Sequence, residues 1–194
     1  VTGVQTCALP ILAISYEKGS RGSNSRIRDY TPNKAQSWKK QTGNAQNHAL
    51  FLKKTVLPFI QSNYRASSTQ KTYIGNSLGG LFGVTILFTM PDLFNNYIIG
   101  SPSVWFNNNA ILALQAYKPK VPTKVYISVG AKETPRFGEG QNMVAGAKQL
   151  TQKINALSSD NIELKSIVIE GASHATAFPT TAIQGLDWVT ANKP

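Results

Sequence analysis

Short apolar runs alternate along the chain with longer stretches in which apolar residues recur at helical spacing. The runs ILAIS, KTYIG, NNYIIGS, KVYISVG and ELKSIVIEG are predicted strands, because they are short, rich in β-branched and aromatic residues and bounded by turn residues. Helices are predicted at 44–63, 78–90, 107–117, 138–157 and 179–191. This alternation predicts an α/β fold with a parallel sheet and helices on both faces. The polar stretch between ILAIS and the first helix is predicted to be a long loop.

One predicted strand-to-helix junction carries a chemically suggestive motif. The sequence TYIGNSLGGLFG contains Gly75-Asn76-Ser77-Leu78-Gly79, which fits the G-x-S-x-G pattern of a nucleophile elbow. A turn this tight presses the helix start against the strand end, so small residues are expected on both sides of the serine. Ser77 is therefore a candidate nucleophile, and the alternative is an ordinary serine in a glycine-rich turn.

A nucleophilic serine needs a base, and the chain contains two histidines. His48 lies upstream of Ser77 at helical spacing with apolar residues, and we interpret it as a helix-surface side chain. His174 follows the last predicted strand, in a small-residue loop before the final helix. The order serine, acid, histidine is that of an α/β-hydrolase, so His174 is the candidate base, within about 3.5 Å of the serine hydroxyl.

The acid of such a triad lies between the serine and the histidine, on a loop that follows a strand. Glu133 comes three residues after Gly130, the end of the KVYISVG strand, and is the first choice. Glu139 lies further along the same loop and is the reserve. Asp160 precedes the last strand and is predicted to be a turn residue. A solvated loop carboxylate remains the alternative for Glu133.

These pieces resemble the putative-esterase family of α/β-hydrolases, especially its enterobactin-esterase-like branch of siderophore hydrolases. The matching segments are RIRDYTP, VLPFIQSNYR, YIGNSLGGLFG, PDLFNNYIIGSPSVWFNN, VYISVGAKE and GASHATAFP. The resemblance implies Ser77 as nucleophile, His174 as base and a carboxylate near Glu133, although some members use a serine–histidine pair alone. It implies a serine esterase that forms an acyl-enzyme, with siderophore trilactones as leading substrates. Carbohydrate esters, general carboxylic esters, or binding without catalysis are the alternatives.

The resemblance also implies an oxyanion hole and substrate contacts. One oxyanion donor is the backbone N–H of Leu78, and the other comes from a loop after an upstream strand. Arg26 and Arg28 are candidate substrate contacts, with an ion pair to Asp29 as the alternative. Trp105 is expected to form an apolar wall with the neighbouring Phe106 beside the serine or to pack against the core.

The N-terminus is predicted to be foreign to the domain. Residues 1–11, VTGVQTCALPI, match the translation of a sequencing-library adapter, and they include the single cysteine, Cys7. Residues 12–194 are then expected to be a partial α/β-hydrolase domain that lacks its N-terminal strands and one oxyanion donor. We expect the chain as given to be impaired as an esterase, since one such donor contributes on the order of 3 kcal/mol.

The net charge of the chain gives a weaker indication of its ligands. Twenty Lys and Arg against nine Asp and Glu give a formal net charge of +11, which favours anionic ligands such as a ferric siderophore. A merely lysine-rich surface explains the same charge. No nucleic-acid-binding module or transmembrane run is recognisable, so neither nucleic acid nor a membrane is a predicted partner. The predicted chemistry requires no cofactor and no metal.

Overall fold

The molecule is built on a parallel sheet that brings several strand ends to one edge. The structure is a computed structural model that describes residues 11–14 and 18–191. Its strands are β1 (Thr72–Asn76), β2 (Asn96–Gly100), β3 (Thr123–Gly130) and β4 (Ile162–Ile169), paired in parallel in the order β1-β2-β3-β4. Asn76 of β1 stands opposite Gly100 of β2, and Gly100 stands opposite Ser128 of β3. The residues that follow these positions therefore meet at the carboxyl edge of the sheet.

Helices cover both faces of this sheet. In chain order they are α1 (Gly22–Tyr30), α2 (Ala45–Phe51), α3 (Leu57–Asn63), α4 (Leu78–Thr89), α5 (Phe106–Ala113), α6 (Met143–Asn155) and α7 (His174–Thr190). A π-helical segment, Leu52–Val56, joins α2 to α3, and short 3₁₀ turns occur at Pro91–Leu93 and Pro135–Phe137. These elements confirm the predicted α/β class, a parallel sheet with helices on both faces.

The larger hydrophobic core lies on the face of the sheet that packs against α4 and α6. Ten of the twelve residues of α4 are buried, which is expected of a helix that is apolar on all sides. The opposite face has a smaller core, in which Ile98 and Tyr126 of the sheet pack against Val189 of α7. Within the described residues, no helix combines the length and the apolar character needed to cross a bilayer.

Three predictions about the elements were wrong. Residues 22–30, assigned to a polar loop, form α1, where Ser25 is buried and Tyr30 stacks on Phe82 at 5.2 Å between ring centroids. Tertiary packing thus outweighs the low helix propensity of this glycine- and serine-rich segment. The last helix begins at His174, five residues earlier than predicted.

The third wrong prediction concerns the strand ILAIS. Residues 11–14 adopt no regular structure, and the side chains of Ile11, Leu12 and Ile14 are exposed. Ser15 lies outside the described residues. A strand forms only against a partner, and in the described part of the chain β1 is an edge strand without a second neighbour. The predicted adapter segment, residues 1–11, lies outside the described residues except for Ile11.

Candidate active site

Ser77 occupies a strained turn between β1 and α4. Its backbone angles are φ 58° and ψ −118°, outside the regions that most residues adopt. The Ser77 N–H donates to Gly100 O at 3.0 Å, and Leu81 N–H donates to Ser77 O at 2.9 Å. Such strain persists only where surrounding structure enforces it, and here it holds a serine at the carboxyl edge of the sheet. The local arrangement is the strand–turn–helix that the motif predicts.

Close packing at the turn requires one of the two motif glycines. A Cβ at Gly75 would lie 2.5 Å from Gly79 O and 2.7 Å from the Tyr73 hydroxyl, which itself donates to Gly79 O. A Cβ at Gly79 would have no neighbour closer than 4.0 Å. Close contact therefore excludes even a methyl group at Gly75, whereas a methyl group at Gly79 would make only ordinary contact. 

Replacing Gly75 by alanine is expected to destabilise the fold because backbone atoms of α4 would have to move. We expect a loss of about 1–3 kcal/mol in the free energy of unfolding, the usual cost of overpacking. The control is Gly140→Ala, since a Cβ at Gly140 would meet no atom within 4 Å. Urea denaturation of both variants checks the prediction, and equal midpoints would contradict it.

The loops after β3 and β4 bring a carboxylate and an imidazole together. Glu133 Oε2 lies 2.6 Å from His174 Nδ1. Backbone hydrogen bonds fix the two loops to each other, with Lys132 N–H donating to Ala172 O at 2.9 Å. A Cβ at Gly130 would lie 2.5 Å from that same Ala172 O, so the close approach of the loops requires glycine there. Glu133, and not Glu139, is thus the carboxylate that binds His174.

The buried Glu133 carboxylate is fully engaged. Its side chain has no exposed surface, and Oε1 accepts hydrogen bonds from Ser101 Oγ at 2.6 Å and from Gly130 N–H at 2.7 Å. Burial alone raises the pKa of Glu133. The hydrogen bonds from His174, Ser101 and Gly130 outweigh that effect and lower its pKa below the ordinary value. Glu133 is therefore ionised near neutral pH.

His174 is the first residue of α7, behind a Ser173 N-cap. Ser173 and Thr176 form a capping box that fixes the helix start. The hydrogen bond to Glu133 raises the pKa of His174, against the opposing effect of burial, while the charge of Glu139 adds to the rise and that of Arg26 reduces it. About a third of the side chain is exposed (36%), so the imidazole has access to solvent as well as to the acid.

The end of β1 and the first turns of α7 converge on Gly100. A Cβ there would lie 2.7 Å from Asn76 Oδ1, 3.2 Å from Thr181 and 3.4 Å from Phe178. Arg26 also connects the two regions, because its guanidinium donates to Asn76 O at 3.1 Å and its charge acts on His174. The predicted nucleophile, base and acid therefore lie in one region at the sheet edge.

The Ser77 hydroxyl has a different partner from the one predicted. Its Oγ lies 3.3 Å from Ser103 Oγ, and no hydrogen bond among the described residues joins it to His174. Ser103 is buried and its N–H donates to Ser77 O at 3.1 Å, so its hydroxyl is held beside the serine. The predicted serine–histidine hydrogen bond is therefore not among those of the described residues, and the Ser77 hydroxyl is in contact with Ser103 instead.

An unused backbone donor lies at the start of α4. The Leu78 N–H is at the first helical position and has no hydrogen-bond partner among the described residues. First-turn N–H groups are unsatisfied within a helix and attract negative charge. The geometry is compatible with the predicted oxyanion role of Leu78, which stays a prediction.

The candidate substrate-binding residues have different environments. Arg28 forms a bidentate ion pair with Asp29, with Nε–Oδ1 and Nη2–Oδ2 both at 2.8 Å, so its geometry favours the ion-pair alternative. Asp29 also accepts from Asn44 at 2.7 Å. Arg26 instead lies beside the serine turn. Substrate contact by Arg26 stays a prediction.

Trp105 is half-buried, and it stacks on Trp38 with ring centroids 6.2 Å apart. The adjacent Phe106 is buried in the main core and also contacts Trp38, at 5.3 Å. Trp105 follows Ser103 by two residues in the same loop. Trp105 also packs against the main core, which favours the core-packing alternative for both rings, and substrate contact by Trp105 stays a prediction.

The remaining candidates lie in structural positions. His48 is on α2 as predicted, but it is half-buried rather than on the surface, and its ring lies 5.0 Å from Phe82 and 5.6 Å from Tyr30. Burial lowers the pKa of His48. Asp160 lies in the turn before β4, which confirms that prediction.

Sequence reasoning missed the roles of Ser101 and Ser103. The two serines flank Pro102 in the loop after β2, one contacting the acid and the other contacting the candidate nucleophile. The sequence analysis singled out Trp105 and Phe106 in this loop, but a serine pair two residues apart has no motif that specifies such partners. The signal that could have indicated them is the position of this loop directly after a central strand.

The comparisons with known proteins identify a family for this chain. The family model described as "Putative esterase" matches residues 6–181. Ferri-bacillibactin esterase BesA of Bacillus subtilis is 29% identical over 192 residues, covering 91% of this chain and 65% of that protein. The siderophore enterobactin esterase of Emericella nidulans is 39% identical over 72 residues, 36% of this chain and 24% of that protein.

A solved structure shows the same fold. The BES protein of Bacillus cereus superposes with a TM-score of 0.76 at 30% identity, covering 91% of this chain and 67% of that chain. The BesA and BES proteins are longer than this chain, which spans about two thirds of the length of each. On the family match and this similarity, the chain belongs to the putative esterase family of α/β-hydrolases.

Proposed function

We propose that this chain carries the catalytic residues of a serine carboxylic-ester hydrolase. The observation that carries the proposal is the 2.6 Å hydrogen bond between buried Glu133 and His174 at the same sheet edge as the strained Ser77 turn. A carboxylate that orients a histidine near a serine on such a turn is the arrangement of an acyl-transfer triad. A binding domain without catalysis has no need to keep all three residues in this geometry.

In the proposed mechanism, Ser77 Oγ attacks the ester carbonyl as its proton passes to His174 Nε2. The hydroxyl first turns from Ser103 towards the imidazole. Glu133 accepts the Nδ1–H hydrogen bond throughout and stabilises the imidazolium that forms. The Leu78 N–H stabilises the tetrahedral oxyanion, and His174 then protonates the leaving alkoxide. A water molecule, deprotonated by His174, attacks the acyl-enzyme, and the carboxylic acid leaves as His174 returns that proton to Ser77 Oγ.

We further propose a siderophore ester, of the trilactone type, as the substrate. Two relatives are named for siderophore esters, ferri-bacillibactin and enterobactin; the first aligns with 91% of this chain and the second with 36% of it. An anionic ferric siderophore would also complement the net charge of +11 and the Arg26 guanidinium beside the Ser77 turn. The aromatic face of Trp105 is a candidate contact for its rings.

A comparison of substrates tests this proposal in the full-length protein. Here the full-length protein means the product of the complete natural reading frame that contains this chain. A ferric catecholate trilactone, an acetylated oligosaccharide and a p-nitrophenyl ester are incubated separately, and the products are identified by mass spectrometry. We expect linearised siderophore fragments at the highest kcat/KM. Preferred cleavage of either other ester would assign a carbohydrate or general carboxylesterase, and no cleavage by a folded protein would favour a binding domain.

A further inference from the structure

We propose that Ser101 is a positioning residue for the acid of this site. Its hydroxyl holds Glu133 Oε1 so that Oε2 faces His174. The inference rests on the proposed function, because it assigns a task within the proposed triad. No motif in the sequence marks Ser101, and its partner is 32 residues away in the chain.

The two oxygens of the Glu133 carboxylate have separate partners. Oε1 accepts from Ser101 Oγ at 2.6 Å and from Gly130 N–H at 2.7 Å, whereas Oε2 faces His174 Nδ1 at 2.6 Å. Because donors on Oε1 fix the plane of the carboxylate, they also fix the direction of Oε2. The Gly130 donor comes from the end of β3, three residues before Glu133 in the chain. Ser101 provides the tie to a neighbouring strand.

The backbone at Ser101 is unfavourable for any residue except glycine, asparagine or aspartate. Its φ is +39°, in the left-handed region, and the residue is fully buried. The Ser101 N–H donates to Ser128 O at 2.7 Å, which holds the residue against β3. Glycine would relieve the strain there but would lack the hydroxyl. The presence of serine at a strained buried position is therefore explained by its hydrogen bond to Glu133.

The loop that carries Ser101 also contacts the candidate nucleophile. Gly100 O accepts the Ser77 N–H at 3.0 Å, and Ser103 Oγ lies 3.3 Å from Ser77 Oγ. A displacement of Glu133 is thus opposed by a segment whose position is fixed relative to the serine turn. Ser101 therefore joins Glu133 to the loop after β2, which also contacts Ser77.

The test compares Ser101→Ala and Ser101→Gly in the full-length protein. The glycine variant keeps the backbone without strain, so it separates loss of the hydroxyl from failure to fold. Both variants are expected to lose about 10- to 100-fold in kcat with little change in KM, the effect of one hydrogen bond to a charged group. The control is Ser128→Ala, which removes a buried hydroxyl bonded to Thr181 at 2.6 Å and leaves Glu133 untouched.

An NMR titration of His174 provides a readout that does not depend on turnover. The groups that act on this imidazole are Glu133, Glu139 and Arg26. If Ser101 positions Glu133, both Ser101 variants should bring the pKa of His174 down towards its ordinary value, whereas Ser128→Ala should not. An unchanged or raised pKa would overturn the proposal. If wild type hydrolyses no ester, the proposed function fails, but this titration still decides the role of Ser101.

Discussion

Replacing Ser77 by alanine in the full-length protein is expected to lower kcat for ester hydrolysis by about 10⁴-fold or more. The variant keeps the binding surface and the Leu78 N–H but has no atom that can form the acyl-enzyme, and loss of a triad nucleophile has effects on this scale. Stability should change by no more than about 1 kcal/mol, because only the hydroxyl contact with Ser103 is lost. Steady-state kinetics and thermal denaturation measure the two quantities.

The control for that variant is Ser67→Ala, which removes an exposed serine hydroxyl from a turn before β1. It should retain wild-type kcat and KM. If Ser77→Ala kept its turnover after purification by two independent routes, another residue would have to be the nucleophile.

Replacing Glu133 by glutamine is expected to have the second largest effect, a fall in kcat of up to about 10⁴-fold. A neutral amide cannot stabilise the imidazolium, and its N–H group can donate to an unprotonated Nδ1, which favours the tautomer with the proton on Nε2, the nitrogen that must act as base. The control is Glu139→Gln, since Glu139 makes no hydrogen bond to His174 and acts on it through charge alone. Loss of activity in Glu139→Gln with activity retained in Glu133→Gln would transfer the acid role to Glu139.

The Glu133→Gln variant also tests the pH dependence of kcat/KM. His174 must be neutral to accept a proton, so activity is lost as pH falls through the pKa of His174. Glu133 raises that pKa above the ordinary value of about 6.5, and the acidic limb of kcat/KM in wild type should therefore lie above 6.5. In Glu133→Gln the limb should move to lower pH. A limb that stayed in place would show that another group controls it.

Glu133 also links folding stability to pH. Its folded-state pKa is lowered, so the stabilisation from its ionised form is present above the ordinary pKa and is lost as pH falls through the folded-state value. His174 has the opposite sign. Its raised pKa stabilises the fold below about 6.5, and that contribution is lost as pH rises through the folded-state pKa.

The local pattern of apolar residues was sufficient to predict those helices and strands that are apolar on all sides and therefore buried. The apolar segment after Ser77 could only be a buried helix, and the β-branched runs before Gly100 and Gly130 could only be buried strands. Residues 22–30 could not be predicted in this way, because α1 is stabilised by contacts with distant residues such as Phe82. Residues 11–14 show the converse, since their apolar pattern forms no strand without a partner in the described part of the chain.

Site residues could be predicted where few residues of the right chemical type are present. They could not be predicted where only the folded geometry determines which side chains meet. An elbow motif, a scarcity of histidine and the order of residues along the chain led to Ser77, His174 and Glu133. The ion pair of Arg28 with Asp29 was left open by sequence, because adjacent charges pair or separate according to helix position. Ser101 was missed since its task depends on the register between β2 and β3.

The role of Ser77 as nucleophile is tested by locating the adduct of a fluorophosphonate probe on the full-length protein. After trypsin digestion, the peptide 72–120 contains Ser77, Ser101 and Ser103, and tandem mass spectrometry can distinguish them. We expect a single adduct on Ser77, formed at a rate that falls as His174 is protonated. A folded protein that reacted at another serine, or not at all, would contradict the claim that Ser77 is an activated nucleophile.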